Sequence, residues 1–147
     1  MVEGPGGERE SALERAIDHH LDLRKGAGGD APFHGLIELG PEAVPVLRRR
    51  FLSETDPGCR VLLLEAIREH RLRSSIPLFE RTLDDPDPAV WKAALDGLVS
   101  TGRAAALAAL ERQREGASGE RREWIEEAVG QVREGLEAGA AGEDERP

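Results

Sequence analysis

Apolar residues recur along the chain at the three- and four-residue spacing of amphipathic α-helices, and no segment alternates with the two-residue period of a strand. Short Gly, Pro or Asp breaks separate these segments, so the pattern predicts about seven or eight helices. The first is predicted over Ser11–Arg24, where Ser11 and Glu14 have the spacing of a capping box. Its apolar face would be formed by Leu13, Ile17 and Leu21.

Two Asp-Pro pairs, Asp56-Pro57 and Asp87-Pro88, each precede an apolar segment, and the distance between them defines a repeat period in the low thirties. An Asp can accept hydrogen bonds from the free N–H groups of a helix start, and Pro is tolerated in the first turn. A further shift by the same period aligns a third segment that begins at Gly119. The aligned apolar columns are Leu62, Ala93 and Trp124; Leu63, Ala94 and Ile125; Ala66, Gly97 and Ala128; and Ile67, Leu98 and Val129.

The intervening segments repeat as well. Their aligned positions are Val44, Ile76 and Leu107, followed by Leu47, Phe79 and Leu110. A unit of two helices, each with one apolar stripe, cannot bury its own apolar surface and must stack on its neighbours. The pattern therefore predicts an all-α solenoid of about three to four helical hairpins. Small residues at Ala66, Gly97 and Ala128 would let paired helices approach closely.

The segments LGPEAVPVLRRRF (39–51), SSIPLFERTLDDPDPAVWKAALDGLVSTG (74–102) and GRAAALAALERQ (102–113) resemble HEAT repeats. The resemblance covers roughly residues 31–135 and is strongest to the short bacterial repeats that also occur in phycobilin-lyase-like proteins. It implies a right-handed α-solenoid that binds partners on its concave face. The helix over Ser11–Arg24 has no counterpart in the repeat, so we expect it to cap one end.

Composition suggests where the folded part begins and ends. Residues 1–10 are rich in Gly and Glu, and residues 139–147 are mostly small or charged, which predicts a flexible N-terminus and a disordered C-terminal tail. The remaining residues, 11–138, are expected to form a single repeat domain.

Charge and cysteine content narrow the possible partners. The net charge is −9, which should repel nucleic-acid phosphates even though Arg48, Arg49 and Arg50 make the middle of the chain locally basic. The lone Cys59 and the lack of a signal-like apolar run predict a cytoplasmic protein, and no apolar stretch is long enough for a membrane span. We therefore expect a protein or peptide partner, with nucleic acid unlikely.

One candidate surface follows the repeat register. Arg49 lies opposite the buried stripe of its predicted helix, and its register equivalents are Arg81 and Arg112. The neighbouring column is apolar and consists of Val46, Leu78 and Ala109. The two columns predict a partner-binding groove with an apolar floor and an arginine rim, suited to an acidic, partly hydrophobic helix. The alternative is that the arginines are ordinary surface residues that pair with nearby glutamates.

Other candidate chemistry is weaker. Among Asp18, His19, His20 and Asp22, His19 and Asp22 are one helical turn apart, but such a surface pair is more typical of solvated residues than of a metal site. No metal or cofactor is therefore predicted. Asp84, Asp85 and Asp87 are interpreted as helix termination and capping, because the glycine and distal glutamate of a calcium-binding loop are missing. Trp91, Trp124 and Cys59 are expected to be buried packing residues.

The leading functional hypothesis is an interaction module that binds a protein or peptide on the helices predicted at Pro41–Ser53, Ser74–Leu83 and Arg103–Gln113. No phosphate-binding loop or nucleophile elbow is present, so an enzyme is not expected. One alternative is an accessory lyase or modifying protein, which a pocket large enough for a small molecule would favour. Another is a regulatory or immunity-type protein that masks a basic partner with residues 111–147, which contain 11 acidic residues and 6 arginines. Partner identity and oligomeric state stay open.

Overall fold

The computed structural model describes residues 5–26 and 30–142, and within these ranges the chain forms eight α-helices and no strand. The all-helical prediction is therefore confirmed for this part of the chain. The helices are α1 (Pro5–Gly26), α2 (Ala31–Glu38), α3 (Val44–Ser53), α4 (Pro57–Glu69), α5 (Ile76–Thr82), α6 (Pro88–Thr101), α7 (Ala104–Gly116) and α8 (Gly119–Gly142).

Helix α1 begins before its predicted start, because Pro5 rather than Ser11 opens it. Ser11 therefore lies inside the helix, and the predicted capping box is wrong. Helix α8 likewise continues to Gly142, so the helical structure extends into both predicted end segments. Residues 1–4 and 143–147, which are the rest of those segments, lie outside the described residues, as do residues 27–29 of the predicted break after α1.

The chain divides into two compact units, residues 1–70 and residues 71–147. The single domain predicted over residues 11–138 stays a prediction, and each unit is described by itself. In unit 1, α1 pairs with α2 and α3 pairs with α4. Helix α1 also packs against α3 and α4, and its Ile17 and Leu21 are fully buried. Helix α1, which has no counterpart in the repeat, therefore packs through its apolar face on the other helices of unit 1.

In unit 2, α5 pairs with α6 and α7 pairs with α8. Helix α7 also packs against α5 and α6, and α8 packs against α6, so the two hairpins bury one shared core. The large buried side chains of this core are Phe79, Leu83, Trp91, Leu98, Leu110, Ile125 and Val129. The predicted columns of α6 and α8 face this core, with the exception of Trp124.

The two Asp-Pro pairs cap helices as predicted. The Asp56 carboxylate accepts a hydrogen bond from the Cys59 N–H at 2.9 Å, and the Asp87 carboxylate accepts one from the Ala89 N–H at 2.9 Å. The bond from Cys59 lowers the pKa of Asp56, because it stabilises the ionised carboxylate. Both α4 and α6 therefore begin at the proline after the Asp.

The close helix contact predicted from the small-residue column is confirmed at Gly97. This residue is buried in α6, where it faces the ring of Phe79 from α5. A Cβ atom added at Gly97 would lie 2.5 Å from Cε1 of Phe79, well inside van der Waals contact. Phe79 is itself fully buried, so its ring has little room to move aside.

We predict that Gly97→Ala lowers the free energy of unfolding by about 1–3 kcal/mol, because the new methyl group forces the Phe79 ring from its place. The control is Gly130→Ala on α8, where an added Cβ meets no atom within 4 Å. That change should raise the free energy of unfolding by about 0.5–1 kcal/mol, since alanine favours a helix interior over glycine. Urea denaturation followed by circular dichroism measures both. A Gly97→Ala variant at least as stable as Gly130→Ala would contradict the packing argument.

Candidate functional site

Two of the three arginines of the predicted column, Arg49 and Arg112, form ion pairs inside their own units. In unit 1, the Arg49 guanidinium lies 3.1 Å from a carboxylate oxygen of Glu10 and 3.2 Å from one of Glu14, both on α1. The hydrogen bond to Glu14 is the main reason that the pKa of Arg49 is raised. Arg49 therefore helps to hold α1 against α3, although each exposed pair contributes little on its own.

In unit 2, Arg112 forms a two-point ion pair with Glu80. Its Nε and Nη2 atoms donate to the two Glu80 oxygens at 3.1 and 2.8 Å. This interaction lowers the pKa of Glu80 and raises that of Arg112. Arg81 is exposed and forms no ion pair with any residue that the structure describes.

The apolar column of the predicted groove is buried. Val46, Leu78 and Ala109 are each less than a tenth exposed. The physical reason is that the helices that carry them contact more than their hairpin partner. Helix α3 packs against both α1 and α4, α5 packs against both α6 and α7, and α7 packs against α5, α6 and α8. The prediction that this column forms an exposed apolar floor is therefore wrong. Partner binding at Arg49, Arg81 and Arg112 stays a prediction.

An exposed aromatic residue lies elsewhere, on α8. Trp124 is 40% exposed, whereas Trp91 of α6 is buried. The two rings meet edge to face with centroids 6.2 Å apart, and the Lys92 ammonium lies 4.6 Å from the Trp124 ring centroid. The prediction that both tryptophans are buried is thus confirmed for Trp91 and wrong for Trp124. Trp124 precedes the buried Ile125 and lies at the edge of the apolar stripe of α8.

Beside Trp124, helices α6 and α8 enclose a groove with a volume of about 150 Å³. We call it the α6–α8 groove. Its lining residues are Leu95, Asp96, Val99, Trp124, Glu127, Ala128 and Gln131. Asp96 on one wall and Glu127 on the other are exposed, and neither forms an ion pair with a residue in the described part of the chain. The groove thus combines apolar surface with two unpaired carboxylates.

A larger cleft of about 600 Å³ lies in unit 2 between the loop after α5 and the start of α8. The Arg121 guanidinium lies 5.1 Å from the Trp91 ring centroid there. It also donates hydrogen bonds of 3.0 Å to the carbonyl oxygens of Leu83 and Asp85. Arg112, paired with Glu80, forms another part of the wall. The arginines of this cleft are therefore already engaged by protein groups.

Two residues of the candidate metal cluster on α1, Asp18 and His20, contact other helices instead. Asp18 is ion-paired with Arg50 of α3, while the His20 ring lies against Gly35 of α2, where an added Cβ would come within 2.2 Å of the ring. The Nδ1 atom of His20 is buried and has no hydrogen-bond partner among the residues that the structure describes. Burial, reinforced by the nearby His19 and opposed by Glu38, lowers the pKa of His20. His20 is therefore a packing residue of the α1–α2 contact.

Cys59 is fully buried, as predicted. Burial, together with the neighbouring Asp56 carboxylate, raises the pKa of its thiol to about 11. The thiol is therefore protonated at neutral pH and unsuited to act as a nucleophile.

The HEAT-repeat family matches residues 44–130, which is more than half of the chain. The chain therefore belongs to the HEAT-repeat family, and its fold class is an all-α solenoid. Proteins of this family are generally scaffolds for protein interactions. No curated protein and no solved structure matches the chain. No helix in the described ranges is long and apolar enough to span a lipid bilayer.

The repeat register contained a signal for the α6–α8 groove. Glu127 lies one repeat after Asp96, and Glu65 lies one repeat before it, so α4, α6 and α8 carry an acidic column. This column directly precedes the small-residue column and marks the outer edge of the stripe. The predicted surface was the arginine column instead, because that column lies opposite the buried stripe of its helices.

We predict that protonation of His20 destabilises the fold. The pKa of His20 is lower in the folded state than in the unfolded chain, so the unfolded chain binds the proton more readily. The contribution of His20 is therefore complete above its unfolded pKa of about 6.5 and is lost as the pH falls below it. Urea denaturation between about pH 7.5 and pH 5.5 should show a smaller pH dependence of stability for His20→Gln than for the wild type. His34→Gln, which removes an exposed histidine on α2, is the control, and equal pH dependence in all three proteins would refute the argument.

Proposed function

We propose that this chain is a HEAT-repeat interaction module that binds a segment of a partner protein in the α6–α8 groove of unit 2. The observation that carries the proposal is the 40% exposed Trp124 beside a groove with apolar surface. Tryptophan is the residue type most enriched among binding hot spots, where it contributes a large apolar area at low entropic cost. An exposed tryptophan next to a groove is therefore a natural anchor for a partner.

The size of the groove supports a protein segment over a small-molecule ligand. Its volume of about 150 Å³ leaves room for one or two side chains. Pockets that enclose drug-sized ligands are larger, about 300–1,000 Å³. A peptide or helix can place a single side chain in such a groove and keep the rest of its contacts on the rims.

The charges support this surface over the predicted arginine surface. Arg49 and Arg112 are already paired with glutamates, so a partner would have to replace those pairs. Asp96 and Glu127 are not ion-paired with described residues and are available to a partner. A binding surface with unused charges gains more from a complementary partner than one whose charges are neutralised.

The test is site-specific photo-crosslinking in the cells that make the protein. A benzophenone amino acid is placed at Gln131, which lines the α6–α8 groove, or at Glu137, which is exposed on the same helix outside it. We expect a crosslinked partner from position 131 and none from position 137. Trp124→Ala should abolish the crosslink by removing the anchor, while thermal unfolding checks that the variant stays folded.

Arg81→Glu completes the design, because it reverses the charge of the exposed arginine in the predicted surface. We expect it to leave the crosslink at position 131 unchanged. A crosslink that survives Trp124→Ala and is lost in Arg81→Glu would move the binding site to the arginine surface. Equal crosslinking from positions 131 and 137 would show that the α6–α8 groove is not a specific site.

The larger cleft favours a second candidate function, that of an accessory lyase-like protein that holds a small molecule. Its volume of about 600 Å³ is sufficient for such a ligand. In a Trp124→Phe variant, Trp91 is the remaining tryptophan and lines the cleft. A phycobilin that binds there should quench Trp91 fluorescence in a saturable manner. Absence of quenching would reject this candidate.

A further inference from the structure

The charges that flank the α6–α8 groove identify the chemistry of its occupant. Asp96 projects from α6 and Glu127 from α8, so a segment in the groove would meet a carboxylate on each side. Two arginines of α8 are neutralised locally: Arg122 pairs with Glu126, and Arg133 pairs with Glu111 of α7. The charged side chains that line the groove, Asp96 and Glu127, are therefore both negative.

A cation also lies near the groove. The Lys92 ammonium is 4.6 Å from the Trp124 ring centroid and 5.5 Å from that of Trp91, so it is held over the two aromatic rings. This cation–π contact fixes Lys92 at the tryptophan end of the surface. Lys92 does not line the groove, and the carboxylates of Asp96 and Glu127 remain available.

The electrostatic field of the whole chain is also negative. The net charge is −9, and residues 111–147 contain 11 acidic residues against 6 arginines. A field of this kind accelerates the encounter with a positively charged partner and repels phosphate-rich surfaces. Nucleic acids, anionic membranes and a second copy of this acidic chain are therefore disfavoured as occupants.

We propose that the occupant of the α6–α8 groove is a basic amphipathic helix of a partner protein. Its apolar face would place a bulky side chain against Trp124 and Val99, and lysines or arginines beside that face would pair with Asp96 and Glu127. Residues three and four apart lie on one face of a helix, so a single turn presents both kinds of side chain. This inference rests on the proposed function and specifies the partner that the same surface takes.

The experiment uses purified full-length chain and three fluorescent synthetic peptides of about 16 residues, or roughly four helical turns. The first is an amphipathic helix of leucine and lysine, the second replaces lysine with glutamate, and the third has the composition of the first in a scrambled order. Fluorescence anisotropy measures binding. We expect the leucine–lysine helix to bind, its affinity to fall with added salt, and the other two peptides to bind much more weakly.

Matched variants locate the interaction. Glu127→Gln and Asp96→Asn should each weaken binding of the leucine–lysine helix about two- to fivefold, as expected for an exposed ion pair. Trp124→Ala should weaken it by at least about tenfold. Glu137→Gln removes the same charge from α8 outside the groove, so it should leave the affinity unchanged.

Several results would overturn the inference. These are equal or tighter binding of the leucine–glutamate helix, equal binding of the scrambled peptide, equal effects of Glu127→Gln and Glu137→Gln, or no binding of any peptide. If no peptide binds but the crosslink at Gln131 still depends on Trp124, the basic partner is wrong and the proposed function stands. If the crosslink is also absent, both are wrong.

Discussion

The structure depends on one constraint: a hairpin of two amphipathic helices can bury its apolar stripe only by packing on another hairpin. In unit 2 this constraint is met where α5–α6 and α7–α8 share a core, and in unit 1 where α1–α2 packs on α3–α4. Close approach within a hairpin completes the burial. The contact between Gly97 and Phe79 is one example, since the ring occupies the space that a side chain at position 97 would need.

The same constraint determines which surfaces are buried by helix packing and which remain available to a partner. Helices α3, α5 and α7 each pack on more than their hairpin partner, so the apolar column that includes Leu78 is buried. Arg49 and Arg112 beside that column link neighbouring helices through glutamates. The edge of the apolar stripe of α8 is less buried. There Trp124 is exposed next to two carboxylates that have no ion-pair partner among the described residues. We therefore expect a partner to bind where helix stacking leaves apolar groups exposed and charged groups without an ion pair.

Much of the fold could be predicted from the sequence, because the features that determine it are local and periodic. The repeat period, the Asp56 and Asp87 caps and the apolar columns are visible in the order of residues alone. The candidate site was harder to predict. The ion pair between Arg112 and Glu80 joins residues 32 positions apart, and the exposure of Trp124 depends on how much of the stripe edge α6 covers. Both depend on tertiary packing, which periodicity does not specify.

The Phe79–Gly97 contact also has a consequence for how the repeats can diverge. In the repeat register, Phe79 and Gly97 correspond to Leu47 and Ala66 in the preceding hairpin and to Leu110 and Ala128 in the following one. The largest residue of one column thus coincides with the smallest of the other, so the combined volume is kept nearly constant. Exchanging a single helix between hairpins would create either an overlap of phenylalanine with alanine or a void between leucine and glycine. The two helices of each hairpin are therefore a matched pair.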